Sequence, residues 1–195
     1  MKNASKKMTS TKPMPEEYFF CGSGDTKELA WETMQSCTGG VVEFNHCCAY
    51  HDDCYDQQRG QATCDNEFCA CNRKVVESQT AEVLHCETHA SLACAAVKLG
   101  GYFAYVASRM NKYTGQYVIQ NDAELAKMYP LLFKSCVYQN ATFSSCGWKY
   151  DTCIANKNKD CGKKMKQCLA DSKNGRDPDA NCDKAVQNAL AVIKA

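Results

Sequence analysis

The sequence has almost no charge excess. Its 23 basic and 22 acidic residues leave a formal net charge of +1, which excludes the broad basic surface that a general nucleic-acid binder presents. A long charged tract is also missing, and so is a recognisable secretory leader. Residues 1–18 carry Lys2, Lys6, Lys7, Lys12, Pro13 and Pro15 without an apolar run, so a leader is expected to have been removed or to lie outside this sequence. No membrane span is expected either, and the chain reads as soluble. The lysines among the first twelve residues read as a solvated tail, with attraction to an anionic membrane surface as the alternative. Cysteine, by contrast, is abundant. Sixteen Cys in 195 residues, an even number, point to a disulfide scaffold made in an oxidising compartment rather than to a thiol-rich cytosolic protein. Sequons at Asn3 and Asn140 are compatible with secretion.

Three of the cysteines fall in Asn45-His46-Cys47-Cys48-Ala49-Tyr50-His51-Asp52-Asp53-Cys54-Tyr55. At helical spacing Phe44, Cys48, His51 and Tyr55 share a face, with Asp52 four residues beyond Cys48. One face thus combines apolar contacts with a base and an acid. Upstream, Gly22-Ser23-Gly24 lets the backbone turn carbonyls toward a common point, as a hard cation requires, although such a turn is usually only a turn. Residues Thr26 to Gln35 read as a short helix with Asp25 as cap and Leu29, Trp31 and Met34 as apolar contacts. Phe19, Phe20 and Trp31 suit a packed core better than a lipid-contacting surface. Cys48, His51 and Cys54, with Cys69 and Cys71 nearby, also admit a zinc reading, which requires free thiols.

The run Cys-Cys-x-x-His-Asp-x-Cys-Tyr at Cys47 to Tyr55 resembles the active-site helix of the secreted, calcium-dependent phospholipase A2 family, and Phe20-Cys21-Gly22-Ser23-Gly24 resembles that family's calcium loop. The link between loop and helix, residues 25 to 43, is longer than most members have. The stretch Cys64-x4-Cys69-x-Cys71-Asn72-Arg73 is similar to the start of the family's second long helix, reached through a polar turn from Gln57 to Thr63 too short for a β-hairpin. The resemblance implies His51 as general base and Ca2+ held by Asp52 with the carbonyls of Phe20, Gly22 and Gly24. It also implies Cys21–Cys48 and Cys54–Cys71 disulfides, and oxyanion support from the Gly22 N–H. Asn72 stands where the family has an Asp that orients the His, so it is expected to accept the His51 Nδ1–H bond, with Glu87 as second candidate. The activity implied is hydrolysis of the sn-2 ester of glycerophospholipids at a membrane surface. A catalytically weak scaffold that binds lipid or a receptor is the alternative.

Beyond Cys86 the positions Leu92, Ala96, Leu99, Phe103 and Val106 recur with helical period and read as a buried core stripe bent at Gly100-Gly101. A loop around Asn111 to Asn121 leads to Asp122 to Cys136, helical in composition with a break expected at Pro130. Phe44 to Cys54 can be laid on Phe143 to Cys153, keeping Phe-x2-Cys-x4-Asp-x-Cys with Tyr150 in place of His51, and Cys64-Asp65 has an echo in Cys182-Asp183. This suggests a degenerate second copy, with chance agreement as the competitor. Cys161, Met165, Cys168 and Leu169 keep helical spacing, and Asp177-Pro178 is expected to open a last helix with the stripe Val186, Leu190 and Ile193. The expected fold is mainly α and disulfide-rich, with two antiparallel long helices carrying the site. Its expected division is a tail (1–18), a phospholipase A2-like domain (19–108) and a helical cysteine-rich region (109–195).

Overall fold

A computed structural model describes residues 14–35, 37, 40–78, 83–108, 115–172 and 180–194. Among the described residues there are helices and no strands. A 3-10 turn at Glu16–Tyr18 precedes α1 (Asp25–Gln35), α2 (Val41–Asp56), α3 (Gln61–Ser78) and α4 (Val83–Ala107). The second half follows with α5 (Ala123–Ser135), α6 (Asn140–Ala155), α7 (Cys161–Asp171) and α8 (Ala180–Val192). The fold is mainly α and disulfide-rich, as the sequence indicates.

All sixteen cysteines are paired. The bridges Cys47–Cys71 and Cys54–Cys64 act as two rungs that force α2 and α3 antiparallel. Each rung contributes roughly 2–4 kcal/mol, mainly by constraining the unfolded chain. Cys21–Cys48 ties the loop before α1 to α2, as expected. The expected Cys54–Cys71 bridge is not formed. Cys54 lies at the end of α2 nearest the turn, and its partner must come from the start of α3, where Cys64 stands. Cys37–Cys86 and Cys69–Cys94 fasten α4.

Three of these bridges recur in the second half. Cys37–Cys86, Cys47–Cys71 and Cys54–Cys64 close separations of 49, 24 and 10 residues. Cys136–Cys182, Cys146–Cys168 and Cys153–Cys161 close 46, 22 and 8, in the same nested order. α6 and α7 therefore form a cross-linked hairpin like α2 and α3. By this order Cys64 corresponds to Cys161, and the proposed echo of Cys64-Asp65 at Cys182-Asp183 falls away. The halves meet along α2 and α6, where Lys149 Nζ reaches Glu43 at 2.6 Å and His46 Nδ1 lies 3.1 Å from Ser145 Oγ. Asp53 accepts hydrogen bonds from the Ala141 and Thr142 backbone N–H groups at 3.2 and 2.8 Å, so α2 caps the start of α6.

Local expectations fare unevenly. α1 covers the expected helix, but Asp25 is its first residue rather than its cap; Ser23 N–H donates to Thr26 Oγ1 just ahead of it. Phe19 and Phe20 are buried, and Phe19 packs edge-on against Trp31, as a core role requires. Pro130 does not break α5, which runs through it with Asp122 capping Glu124 and Leu125. The proline lies on an exposed face, where water can satisfy the carbonyl it leaves without a donor. The start of the last helix at Asp177-Pro178 and the N-terminal lysines with Asn3 lie outside the described residues.

The largest departure is α4. Leu92, Leu99, Phe103 and Val106 are exposed, not core. The stretch Cys86–Ala107 is also long and apolar enough to cross a membrane, contrary to expectation. The periodicity is real, but the face it defines points away from α3, which packs along the opposite side.

Candidate active site

His51 projects from the middle of α2 and is 8% exposed. Its Nε2 lies 2.9 Å from Asp65 Oδ1, in the first turns of α3. The same oxygen accepts the Tyr55 hydroxyl at 2.7 Å, and Asp65 Oδ2 accepts from Gln61 Nε2 at 3.3 Å. Tyr55 and Phe68 flank the imidazole, with ring centroids 4.1 and 4.9 Å away. Position, tautomer and ring plane are thereby fixed together: Asp65 holds a proton on Nε2 and leaves Nδ1 as the free lone pair.

This corrects the reading of the partner. Asn72 is buried, yet neither its side-chain oxygen nor its nitrogen has a hydrogen-bond partner, and Glu87 is exposed on α4. The carboxylate that the resemblance calls for is present seven residues before Asn72, and the ring nitrogen it holds is Nε2 rather than Nδ1. The first difference follows from the Cys54–Cys64 rung, which places Asp65 across from His51. The sequence marks Asp65 as a candidate without deciding for it. Cys64-Asp65 is a Cys-acid pair directly after the turn, and Asp65, Phe68, Asn72 and Val75 share the buried face of α3.

The electrostatics favour a neutral base. Burial lowers the His51 pKa, and the Asp65 hydrogen bond and charge only partly offset it. Tyr55 is held protonated, first by burial and then by Asp65, so it serves as a donor.

Asp52, half-buried next to His51, has its pKa pushed well above the usual carboxylate range by burial and by the charges of Asp53 and Asp56. The loop with which it was associated is pinned to α2. Cys21 is bonded to Cys48, the Phe20 N–H donates to Asn45 Oδ1 at 2.7 Å, and Asn45 Nδ2 donates to the Tyr18 carbonyl at 2.7 Å. Gly22 and Gly24 both have positive φ, 78° and 52°. A Cβ on Gly22 would lie 2.7 Å from the Thr26 carbonyl oxygen, so only glycine fits this turn. Asp52 and the carbonyls of Phe20 and Gly22 are oxygen donors of the kind a hard divalent cation takes, whereas the Gly24 carbonyl accepts the Lys27 N–H at 3.1 Å.

A zinc–thiolate site does not fit, because no cysteine is free. His46, Cys146 and Cys168 bring their ligand atoms within 4.8 Å of one another, but the two sulfurs are bonded to each other.

The corresponding place in the second half is differently furnished. Tyr150 replaces the base and donates to Asp122 Oδ2 at 2.9 Å. Asp151, in the position of Asp52, accepts from the Tyr117 hydroxyl at 2.9 Å and from the Gln120 and Asn121 N–H groups at 2.8 and 3.0 Å. Its acceptor sites are filled by N–H and O–H donors.

The chain is similar to a phospholipase A2-like protein. That relative, from Caenorhabditis elegans, is 36% identical over 96 residues, which are 48% of this chain and 53% of the relative. The chain thus aligns with about half the length of the curated relative it matches. No protein-family model matches the chain, and no solved structure matches it. The similarity supports a phospholipase A2-like relationship over about half of the chain at most, and the eight disulfides fit it.

Proposed function

We propose that the protein hydrolyses the sn-2 ester of glycerophospholipids, releasing a fatty acid and a lysophospholipid, with Ca2+ as cofactor and an extracellular site of action. The observation that carries this reading is the buried His51–Asp65–Tyr55 array, immediately beside Asp52 on one helix. The phospholipase A2-like relative and the eight disulfides support it.

Neutral His51 accepts a proton on Nδ1 from a water whose oxygen adds to the ester carbonyl. Asp65 stabilises the imidazolium that results and keeps the ring from turning. As the carbonyl re-forms and the ester C–O bond breaks, His51 returns the proton to the departing glycerol oxygen. Asp52 and the carbonyls of Phe20, Gly22 and Gly24 would hold the Ca2+. When bound, the ion supplies Lewis-acid polarisation of the ester carbonyl and charge stabilisation of the oxyanion. Burial of His51 keeps it unprotonated at neutral pH, the state this role requires.

Two variants separate the parts. His51→Gln should reduce fatty-acid release by on the order of 10²-fold or more while leaving calcium binding, read by isothermal titration, intact. Asp52→Lys should abolish both calcium binding and calcium-dependent release without unfolding the protein. Calcium binding that survives in Asp52→Lys, or release that survives in His51→Gln, would refute the assignment.

A further inference from the structure

α4 is an anomaly for a chain held together in water. Leu99 is 89% and Phe103 81% exposed, and Leu92, Tyr102 and Val106 stand out beside them. Large apolar faces left open in this way mark a binding surface. From Thr88 to Ser108 the only charged side chain is Lys98. We propose that this face of α4 is the surface on which the protein seats itself on a phospholipid bilayer, lying in the interface with its apolar side chains inserted. The proposal rests on the reading of the His51 site as a phospholipid hydrolase.

Three observations favour that occupant. First, the face belongs to the helix that backs the site. Gly101 lies directly against the Tyr55 hydroxyl, where a Cβ would collide, and the Tyr105 ring is 5.1 Å from that of Tyr55. A bilayer under the outer face of α4 would thus lie one helix thickness, roughly 10 Å, from the Tyr55 side of the His51 array. Second, the composition suits the boundary between headgroups and acyl chains. Tyr102 and Phe103 form an exposed edge-to-face pair with centroids 5.8 Å apart, and Lys98 can extend its ammonium to the headgroups while its stem lies along the apolar face. Third, α4 cannot cross the membrane even though Cys86–Ala107 is long enough. Cys69–Cys94 bonds it to α3, which runs alongside and carries Glu67, Arg73, Lys74 and Glu77. A spanning orientation would take those charges into hydrocarbon. An in-plane orientation keeps α3 in water and buries only the exposed face of α4.

The test uses vesicles of ether-linked phosphatidylcholine, which have no ester to cut, so binding is read apart from hydrolysis. Co-sedimentation should show the intact protein partitioning onto them, with little loss in high salt because Lys98 is the only charge on the face. Leu99→Ser combined with Phe103→Ser should lower the partition coefficient at least tenfold. A single Phe103→Trp variant should show a blue-shifted emission on adding the vesicles. Unchanged partitioning in the double variant, or no emission shift, overturns the proposal. So does a protein that ignores vesicles but forms a dimer abolished by the double variant, which would assign the face to a second copy. If vesicle binding behaves as expected while ester lipids are never hydrolysed, the docking surface stands and the catalytic reading fails.

Discussion

At the scale of single residues, Asp65 takes the place beside His51 that the motif suggests for Asn72. The stretch around His51 and Asp52 stood out as a candidate because a base, an acid and three cysteines crowd into eleven residues. Asp65 is not singled out in the same way. Cys64, Cys69 and Cys71 offer several ways to lay α3 on α2, and the choice between Asp65 and Asn72 depends on which rung forms, a long-range fact. Asn72 is left as a buried amide without partners, and the corresponding place in the second half, one residue after a rung cysteine, is taken by the fully buried Leu169. An unsatisfied buried polar group costs about 1–3 kcal/mol. Asn72→Leu should therefore raise stability by about 1 kcal/mol in urea unfolding with turnover unchanged, whereas Asn72→Asp should destabilise by burying an unpaired charge. Loss of turnover in Asn72→Leu would return this residue to the site.

At the scale of elements, helix positions were readable from periodicity, but what covers each face was not. The stripe on α4 has the same period as a core stripe, and period alone reports that residues share a face, not that protein lies over it. The disulfides explain how this is tolerated: α4 is held by Cys37–Cys86 and Cys69–Cys94, so its attachment does not depend on burying every apolar side chain. A different device joins α2 to α6. The Asp53 carboxyl, its pKa raised to about 8 chiefly by burial, accepts the first N–H groups of α6. Asp53→Ala leaves those donors buried and unpaired, and should cost about 2 kcal/mol in chemical denaturation. An Asp53→Ala protein as stable as the parent would mean that α6 does not need this cap.

At the scale of the whole molecule, two cross-linked helical hairpins share one layout, and their chemistry diverges at matched positions. The repeated phrase around Phe143 to Cys153 was visible in the sequence. The rest of the correspondence was not, because it lies in which cysteines pair rather than in residue identity. In the first half His51 meets the Asp65 carboxylate; in the second, Tyr150 and the fully donated Asp151 occupy the places of His51 and Asp52. The central claim is that the His51–Asp65 pair of the first half does the chemistry, and the pH dependence of calcium-dependent fatty-acid release tests it most directly. The rate should rise with pH as His51 loses its proton. Asp65 pulls the His51 pKa up against burial, so Asp65→Asn should shift that rise to lower pH and lower the plateau by on the order of 10²-fold. An Asp65→Asn protein with the parent's plateau and the parent's profile would contradict the account.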